Sequence, residues 1–124
     1  MKKLFYFSIF VLFAISLNAQ TYNMQTGSFA TCSGNFYDSG GLGEYGNNEN
    51  DTIVFCSSSG TYISINFTAM SLRNGDNLYI YYGSDASSGT PDITNPGTGL
   101  INSSCNCITV IFVSNASLTR PGWE

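Results

Sequence analysis

The sequence predicts an all-β protein built as an antiparallel β-sandwich. Short apolar runs recur along the chain, and within them apolar and polar residues alternate with a period of two, as in half-buried strands. The segments between these runs are rich in Gly, Ser, Asn and Thr, which favour turns. No long stripe of apolar residues at the helical period follows residue 20. Several short strands at this spacing are typical of a sandwich.

The N-terminus has the features of a secretory signal peptide. Lys2 and Lys3 precede an apolar run over residues 4–17, and Ala19 ends a small-residue cleavage site. The run is shorter than the roughly 20 residues that span a bilayer. We therefore predict a signal peptide over residues 1–19 and a secreted or cell-surface protein. The remaining 105 residues suit one small domain, with a linker at 20–29 and the domain at 30–124.

The charge of the exported part limits its partners. Without the two leader lysines, Arg73 and Arg120 stand against eight acidic residues, for a net charge of −6. Such a surface repels nucleic-acid phosphates and anionic membranes. We expect neither nucleic-acid binding nor membrane insertion once the signal is removed.

The first strands are predicted around residues 51–56 and 61–70. The four residues "SSSG" separate them, which favours a hairpin. In the second run Ile63, Ile65 and Phe67 alternate with polar side chains, so one face should be buried and the other wet. The Gly- and Asn-rich segment 31–50 is predicted to be irregular loop.

Two further strands follow. Residues 76–83 place Leu78 and Ile80 on one face, after an Asn-Gly pair typical of a tight turn. Residues 106–115 are apolar on both faces, as expected of a central strand. Between them, residues 83–99 form a long polar loop.

Four cysteines in a small exported domain indicate disulfides. Cys32 and Cys56 are well separated and are predicted to pair. Cys105 and Cys107 share one face of a strand, with Cα atoms about 6.6 Å apart, at the outer limit for a bridge. They therefore either pair with each other under strain, or one pairs with a cysteine outside the chain.

Enzyme chemistry is disfavoured. The chain contains no histidine, which excludes Ser-His-Asp and Cys-His catalysis and histidine-based zinc sites. Glu44, Glu49 and Asp51 are close in sequence, but no cleft is evident around them for a paired-carboxylate glycosidase. We predict that the protein is not an enzyme.

The ordered motifs resemble a CUB domain, in the form found in exported bacterial proteins, over about residues 30–124. The motifs that carry the resemblance are Cys32 with "GNFYDSGG", "YGNNEN" with "TIVFC", "YISINFTAMSL", "DNLYIYYGSD" and "CITVIFVSNASLTRPGW". The resemblance implies a jelly-roll sandwich. It also implies that Cys107 is the family's third cysteine, whose partner lies in a last strand beyond residue 124. The domain is thus expected to be C-terminally incomplete, with Cys105 extra.

Many CUB domains bind Ca²⁺ through carboxylates near the start of the "DNLYIYYGSD" strand and near the domain's end. Carried over by position, Asp76 matches the family's Asp, Asn115 replaces a second Asp, and Ser117 matches the terminal Ser. Arg73 falls near the family's Glu. Because too few anionic oxygens remain for tight binding, the resemblance implies no cofactor or only weak Ca²⁺. The alternative is that Asp76 caps the Asn-Gly turn and accepts backbone N–H groups.

The tyrosines of the third strand are the other candidate for function. Tyr79, Tyr81 and Tyr82 could offer flat faces for a sugar or a protein, although packing in the sandwich is the more common fate of such residues. The family resemblance implies a non-catalytic binding or adhesion module for extracellular proteins or carbohydrates, within a larger protein. The alternative is an accessory domain of a secreted hydrolase or protease whose catalytic domain lies beyond residue 124.

Overall fold

The computed structural model describes residues 19–124, so the predicted signal peptide lies, apart from Ala19, outside the described residues. This part of the chain contains strands and no helix, and therefore no helix that could span a membrane. In chain order the strands are β1 (Thr21–Asn23), β2 (Gly27–Thr31), β3 (Asn35–Tyr37), β4 (Asn50–Ser57), β5 (Ser64–Phe67), β6 (Met70–Ser71), β7 (Asn77–Tyr82), β8 (Ile93–Thr94), β9 (Gly99–Asn102), β10 (Cys107–Val113) and β11 (Gly122–Trp123).

The strands form two layers around one core. The first layer is a five-stranded sheet in the order β2-β4-β10-β7-β8. The second consists of three pairs, β1 with β3, β6 with β11, and β5 with β9. Most neighbours are antiparallel, while β2 runs parallel to β4 and β1 runs parallel to β3. The predicted all-β sandwich is confirmed.

Strand β10 is central, as its two-sided apolar pattern predicts. It pairs with β4 along one edge and with β7 along the other. Ile108, Val110 and Phe112 are completely buried against the second layer, where each contributes about 1.5–3 kcal/mol by leaving water. Leu78 and Ile80 of β7 continue this inner face.

The segment expected to be a linker is part of the sandwich, so that prediction is wrong. Residues 20–29 contain β1 and most of β2. Tyr22 and Met24 alternate with exposed residues, and both are buried in the core. Because these apolar side chains need cover, the segment folds back onto the domain.

The hairpin predicted between residues 51–56 and 61–70 is also wrong. Strand β4 lies in the five-stranded sheet, whereas β5 pairs with β9 in the other layer. The chain crosses between layers at Ser57–Thr61, where three hydroxyl groups hydrogen-bond one another. The alternation itself is confirmed, since Ser64 and Asn66 are exposed while Phe67 is buried.

The predicted Cys32–Cys56 bridge is corrected to Cys56–Cys107. The register of β4 and β10 sets Cys56 directly opposite Cys107, with Cα atoms 4.0 Å apart. Cys32 lies just beyond the end of β2, beside Ser58 rather than Cys56. Cys32 and Cys105 are free thiols in the described chain, and Cys107 has its partner within it.

Aromatic rings fill the core between the layers. The Trp123 ring of β11 packs against Phe36 and Phe112, with ring centroids 5.6 and 5.1 Å away. Tyr22 and Phe36 both pack edge-on against Phe55 of the five-stranded sheet. This cluster fixes β1, β3 and β11 over the five-stranded sheet.

Candidate functional site

One end of the sandwich is held together by Asp76 and Tyr45. Asp76 is only 2% exposed. One of its carboxylate oxygens accepts a hydrogen bond from the Tyr45 hydroxyl at 2.7 Å, and the other accepts one from the Asn115 N–H at 2.8 Å. The Tyr45 oxygen in turn accepts the Arg73 backbone N–H at 2.8 Å. Three loops are thereby locked into one surface.

The Tyr45 hydroxyl is buried, which suits its role as a structural hydrogen-bond donor to Asp76. Burial, reinforced by its hydrogen bond to the Asp76 carboxylate, raises the pKa of Tyr45 to about 12. The hydroxyl therefore stays protonated and keeps donating to Asp76 over the ordinary pH range. Sequence reasoning identified Asp76 but missed Tyr45. The signal in the sequence was Tyr45 itself, within the polar segment "EYGNN". An aromatic side chain buries a large apolar surface when it packs on the core, and a buried tyrosine hydroxyl usually finds a hydrogen-bond partner.

The predicted calcium-binding residues lie close together, but the side-chain oxygens of Asp76 and Asn115 already accept hydrogen bonds from other groups of the protein. Asp76 accepts from Tyr45 and Asn115, and the side-chain oxygen of Asn115 accepts the N–H and hydroxyl of Ser117. Arg73 approaches through its backbone N–H. Within residues 19–124, no group of three or more His, Cys, Asp or Glu side chains could hold a metal. Calcium binding at Asp76 stays a prediction.

A second buried acid, Asp38, was not identified from the sequence. Its side chain is fully buried. One oxygen accepts the Gly40 N–H at 2.7 Å, and the other has no hydrogen-bond partner. Burial raises the pKa of Asp38 to about 6, with a further rise from the Glu49 charge and a partial offset from the backbone N–H groups of Gly40 and Trp123. With this pKa, the Asp38 carboxyl group titrates near pH 6.

The tyrosines proposed as a binding face are mostly covered. Tyr81 is 9% exposed, and Tyr79 and Tyr82 are half-buried, with Tyr82 packed against the core. Strand β7 lies between β10 and β8, so its outward side chains are flanked on both sides. Among aromatic residues, Tyr62 offers far more surface, with 74% of its side chain exposed.

Tyr62 stands beside a groove of about 550 Å³ between β3 and β5. Apolar side chains from both layers line it, together with the hydroxyl and amide side chains of the surrounding loops. Its lining includes Tyr22, Phe36, Phe55, Ile63, Ile65 and Glu124. Tyr22 is 4% exposed, and its hydroxyl is buried without a hydrogen-bond partner.

The hydroxyl cluster beside the groove contains no base. The hydroxyls of Ser57, Ser59 and Thr61 near the groove hydrogen-bond one another at 2.9–3.1 Å. Such a cluster can orient water or a ligand hydroxyl, but it does not activate a nucleophile.

Comparison with known proteins supports the fold. No family model matches the chain, and no curated protein matches it. Among solved structures, the chain is similar to the full extracellular region of zebrafish Gpr126/Adgrg6, with a TM-score of 0.54 and 20% sequence identity. The match covers 85% of this chain and 14% of that one. The chain thus shares an all-β fold with a small part of that extracellular region.

Proposed function

We propose that this chain is an extracellular, non-catalytic binding module of the CUB type, which contacts proteins or carbohydrates as part of a larger protein. The groove between β3 and β5 carries the proposal, because it is concave, partly apolar and rimmed by neutral hydrogen-bonding groups. The Cys56–Cys107 disulfide and the signal-like N-terminus support an oxidising, extracellular location.

The chemistry of the described residues supports binding over catalysis. The hydroxyl groups near the groove pair with each other, and no histidine is present in the sequence. Of the two buried acids, Asp76 is held by Tyr45 and Asn115, and Asp38 lies beneath Gly122. Neither acid lines the groove.

The test is binding of fluorescently labelled protein to an array of oligosaccharides and purified extracellular-matrix proteins. We expect concentration-dependent binding to at least one probe, without turnover. The Tyr62→Ser variant, changed at the groove, should bind this probe more weakly than the wild type. The control Leu100→Ser, changed at an exposed residue outside the groove, should bind it as the wild type does. Absence of binding across the array, or an equal loss in both variants, would contradict the proposal.

A further inference from the structure

A second concave surface lies where the chain turns from β6 into β7 and meets the segment that follows β8. It is a pocket of about 540 Å³, within the size range of small-ligand sites. It shares no lining residue with the groove beside Tyr62. Strand β11 passes β6 from Ser71 towards Met70, away from residues 72–77. Neither Trp123 nor Glu124 lines the pocket.

The positive charge at this pocket belongs to Arg73. Its backbone is fixed, because its N–H donates to the Tyr45 hydroxyl at 2.8 Å and its carbonyl accepts the Asp76 N–H at 3.0 Å. Asp76 also borders the pocket, but it is 2% exposed, and its two oxygens accept from Tyr45 and Asn115. Within residues 19–124, the guanidinium of Arg73 pairs with no carboxylate. A ligand in the pocket therefore meets an unneutralised guanidinium, whose planar fork binds a carboxylate through two hydrogen bonds.

Amide side chains form the rest of the polar wall. Asn95, at a φ of +48°, is held by Leu78: its side-chain oxygen accepts the Leu78 N–H at 2.7 Å, and its own N–H donates to the Leu78 carbonyl at 2.8 Å. Its Nδ2 donates to Oδ1 of Asn77 at 2.9 Å, and Nδ2 of Asn77 donates to the Gly75 carbonyl at 3.4 Å. Each of these two amides keeps one N–H for a ligand, and the exposed Asn74 adds a third amide at the rim. The wall is thus neutral, oriented in advance and suited to hydroxyl groups.

The apolar part of the pocket completes the match to a ligand. Met70 and Leu72 are half-buried and pack against the core, and Pro96 is buried. A sugar ring has an apolar C–H face and an edge of hydroxyl groups, so it can lie on these side chains while its hydroxyl groups meet the amides. We propose that this pocket binds a sugar that carries a carboxylate, a uronic or sialic acid, with the carboxylate on Arg73.

The charge of the domain favours a single carboxylate over ligands of higher charge. Two arginines stand against eight acidic residues in the exported part, so a sulfated or phosphorylated polyanion would be repelled. One carboxylate in contact with Arg73 gains a short-range pair, while the repulsion from distant acids is screened by salt. An acidic peptide offers the same carboxylate but lacks the hydroxyl groups that match the three amides. This site is additional to the groove of the proposed function and does not depend on it.

The probes are methyl glucuronide and methyl sialoside, which distinguish the two sources of a sugar carboxylate. Each has a neutral counterpart in which an amide replaces the carboxylate on the same ring. Binding is followed by NMR, through the amide signals of isotope-labelled protein. We expect saturable shifts at Asn74, Gly75 and Asn95 with at least one acidic sugar. Its neutral counterpart should bind about tenfold more weakly, because it lacks the charge-assisted hydrogen bonds to Arg73.

Arg73→Gln and Arg120→Gln form a matched pair of variants. Each removes one positive charge, and Arg120 lies outside the pocket. Arg73→Gln keeps the backbone N–H that donates to Tyr45, so both variants should fold as the wild type does by circular dichroism. We expect Arg73→Gln to weaken binding about tenfold and Arg120→Gln to change it less than about threefold, since an exposed charge outside the pocket is screened.

Four results would overturn the inference. They are an equal loss in both variants, equal affinity for an acidic sugar and its neutral counterpart, tighter binding of an acetylated glutamate dipeptide, and no saturable shift with either acidic sugar. Tyr62→Ser should leave this binding unchanged, because Tyr62 lines only the groove. If array binding that depends on Tyr62 persists while neither acidic sugar binds at Arg73, the proposed function stands and this inference fails.

Discussion

Replacing Asp38 by asparagine should change how the stability of the protein depends on pH. The pKa of Asp38 is raised from 3.8 to about 6 in the folded state. A raised carboxyl pKa means that the folded state holds the proton more tightly than the unfolded state. The protonated form therefore stabilises the fold below about pH 4, and this stabilisation is lost as the pH rises through 6.

The magnitude follows from the shift. Each pKa unit corresponds to about 1.4 kcal/mol, so the full effect is about 3 kcal/mol. About a third of this change falls below pH 4.5, because the unfolded chain, with its Asp38 pKa of 3.8, has lost most of its proton by that pH. Between pH 4.5 and pH 8, Asp38 therefore lowers the free energy of unfolding of the wild type by about 2 kcal/mol. The asparagine variant lacks this contribution.

Urea unfolding followed by tryptophan fluorescence suits the measurement, because Trp123 is the only tryptophan and is buried beside the Asp38 site. Between pH 4.5 and pH 8, the wild type should lose about 2 kcal/mol relative to Asp38→Asn, whatever the other acids contribute to both. The exposed Asp85 provides the control, since Asp85→Asn should keep the wild-type slope. Parallel pH profiles for wild type and Asp38→Asn would refute the reasoning.

Three other perturbations have expected outcomes. Gly122→Ala should destabilise the protein by about 2–5 kcal/mol in urea unfolding, because its Cβ would lie 1.9 Å from an oxygen of Asp38 at a φ of +69°. The control Gly60→Ala, at a φ of +74° with open space around it, should cost only about 1–2 kcal/mol. Replacing Cys56 and Cys107 by Ala should cost about 2–4 kcal/mol, measured by thermal unfolding, since their bridge spans 51 residues. Tyr45→Phe should cost about 1–3 kcal/mol, because it leaves the Asp76 carboxylate and the Arg73 N–H without that partner; a variant as stable as wild type would contradict the role of the hydroxyl.

Strand identity was predictable where burial dictates the residue pattern. The run at 106–115 is apolar on both faces because β10 has sheet neighbours on both edges and is covered on its inner face. Residues 76–83 show Leu78 and Ile80 in alternation because only one face of β7 meets the core. The spacing of apolar residues along the sequence reflects which side chains are buried, so the positions of these strands could be predicted from the sequence.

Strand partners were not predictable in the same way. The pattern of residues 61–70 fits a hairpin with β4 and equally fits pairing with β9, since both would bury Ile65 and Phe67. The four-residue connection allowed either the hairpin or the crossing between layers that the structure shows. The cysteine pairing depended on the same choice, because Cys56 meets Cys107 only through the register of β4 with β10.

The candidate sites show the same contrast: the position of a residue could be predicted from the sequence, whereas its distant contacts could not. Asp76 was noticeable in sequence as an acid before an apolar run, and the structure gives it two protein donors from distant loops. The Tyr45 and Asn115 donors lie 31 and 39 residues from Asp76 along the chain, so no local pattern shows them. The groove gives no sequence signal either, because β1, β3, β4 and β5 come together around it only through the fold. Local burial patterns therefore located the strands and the acid, while the partners of each depended on contacts between distant segments.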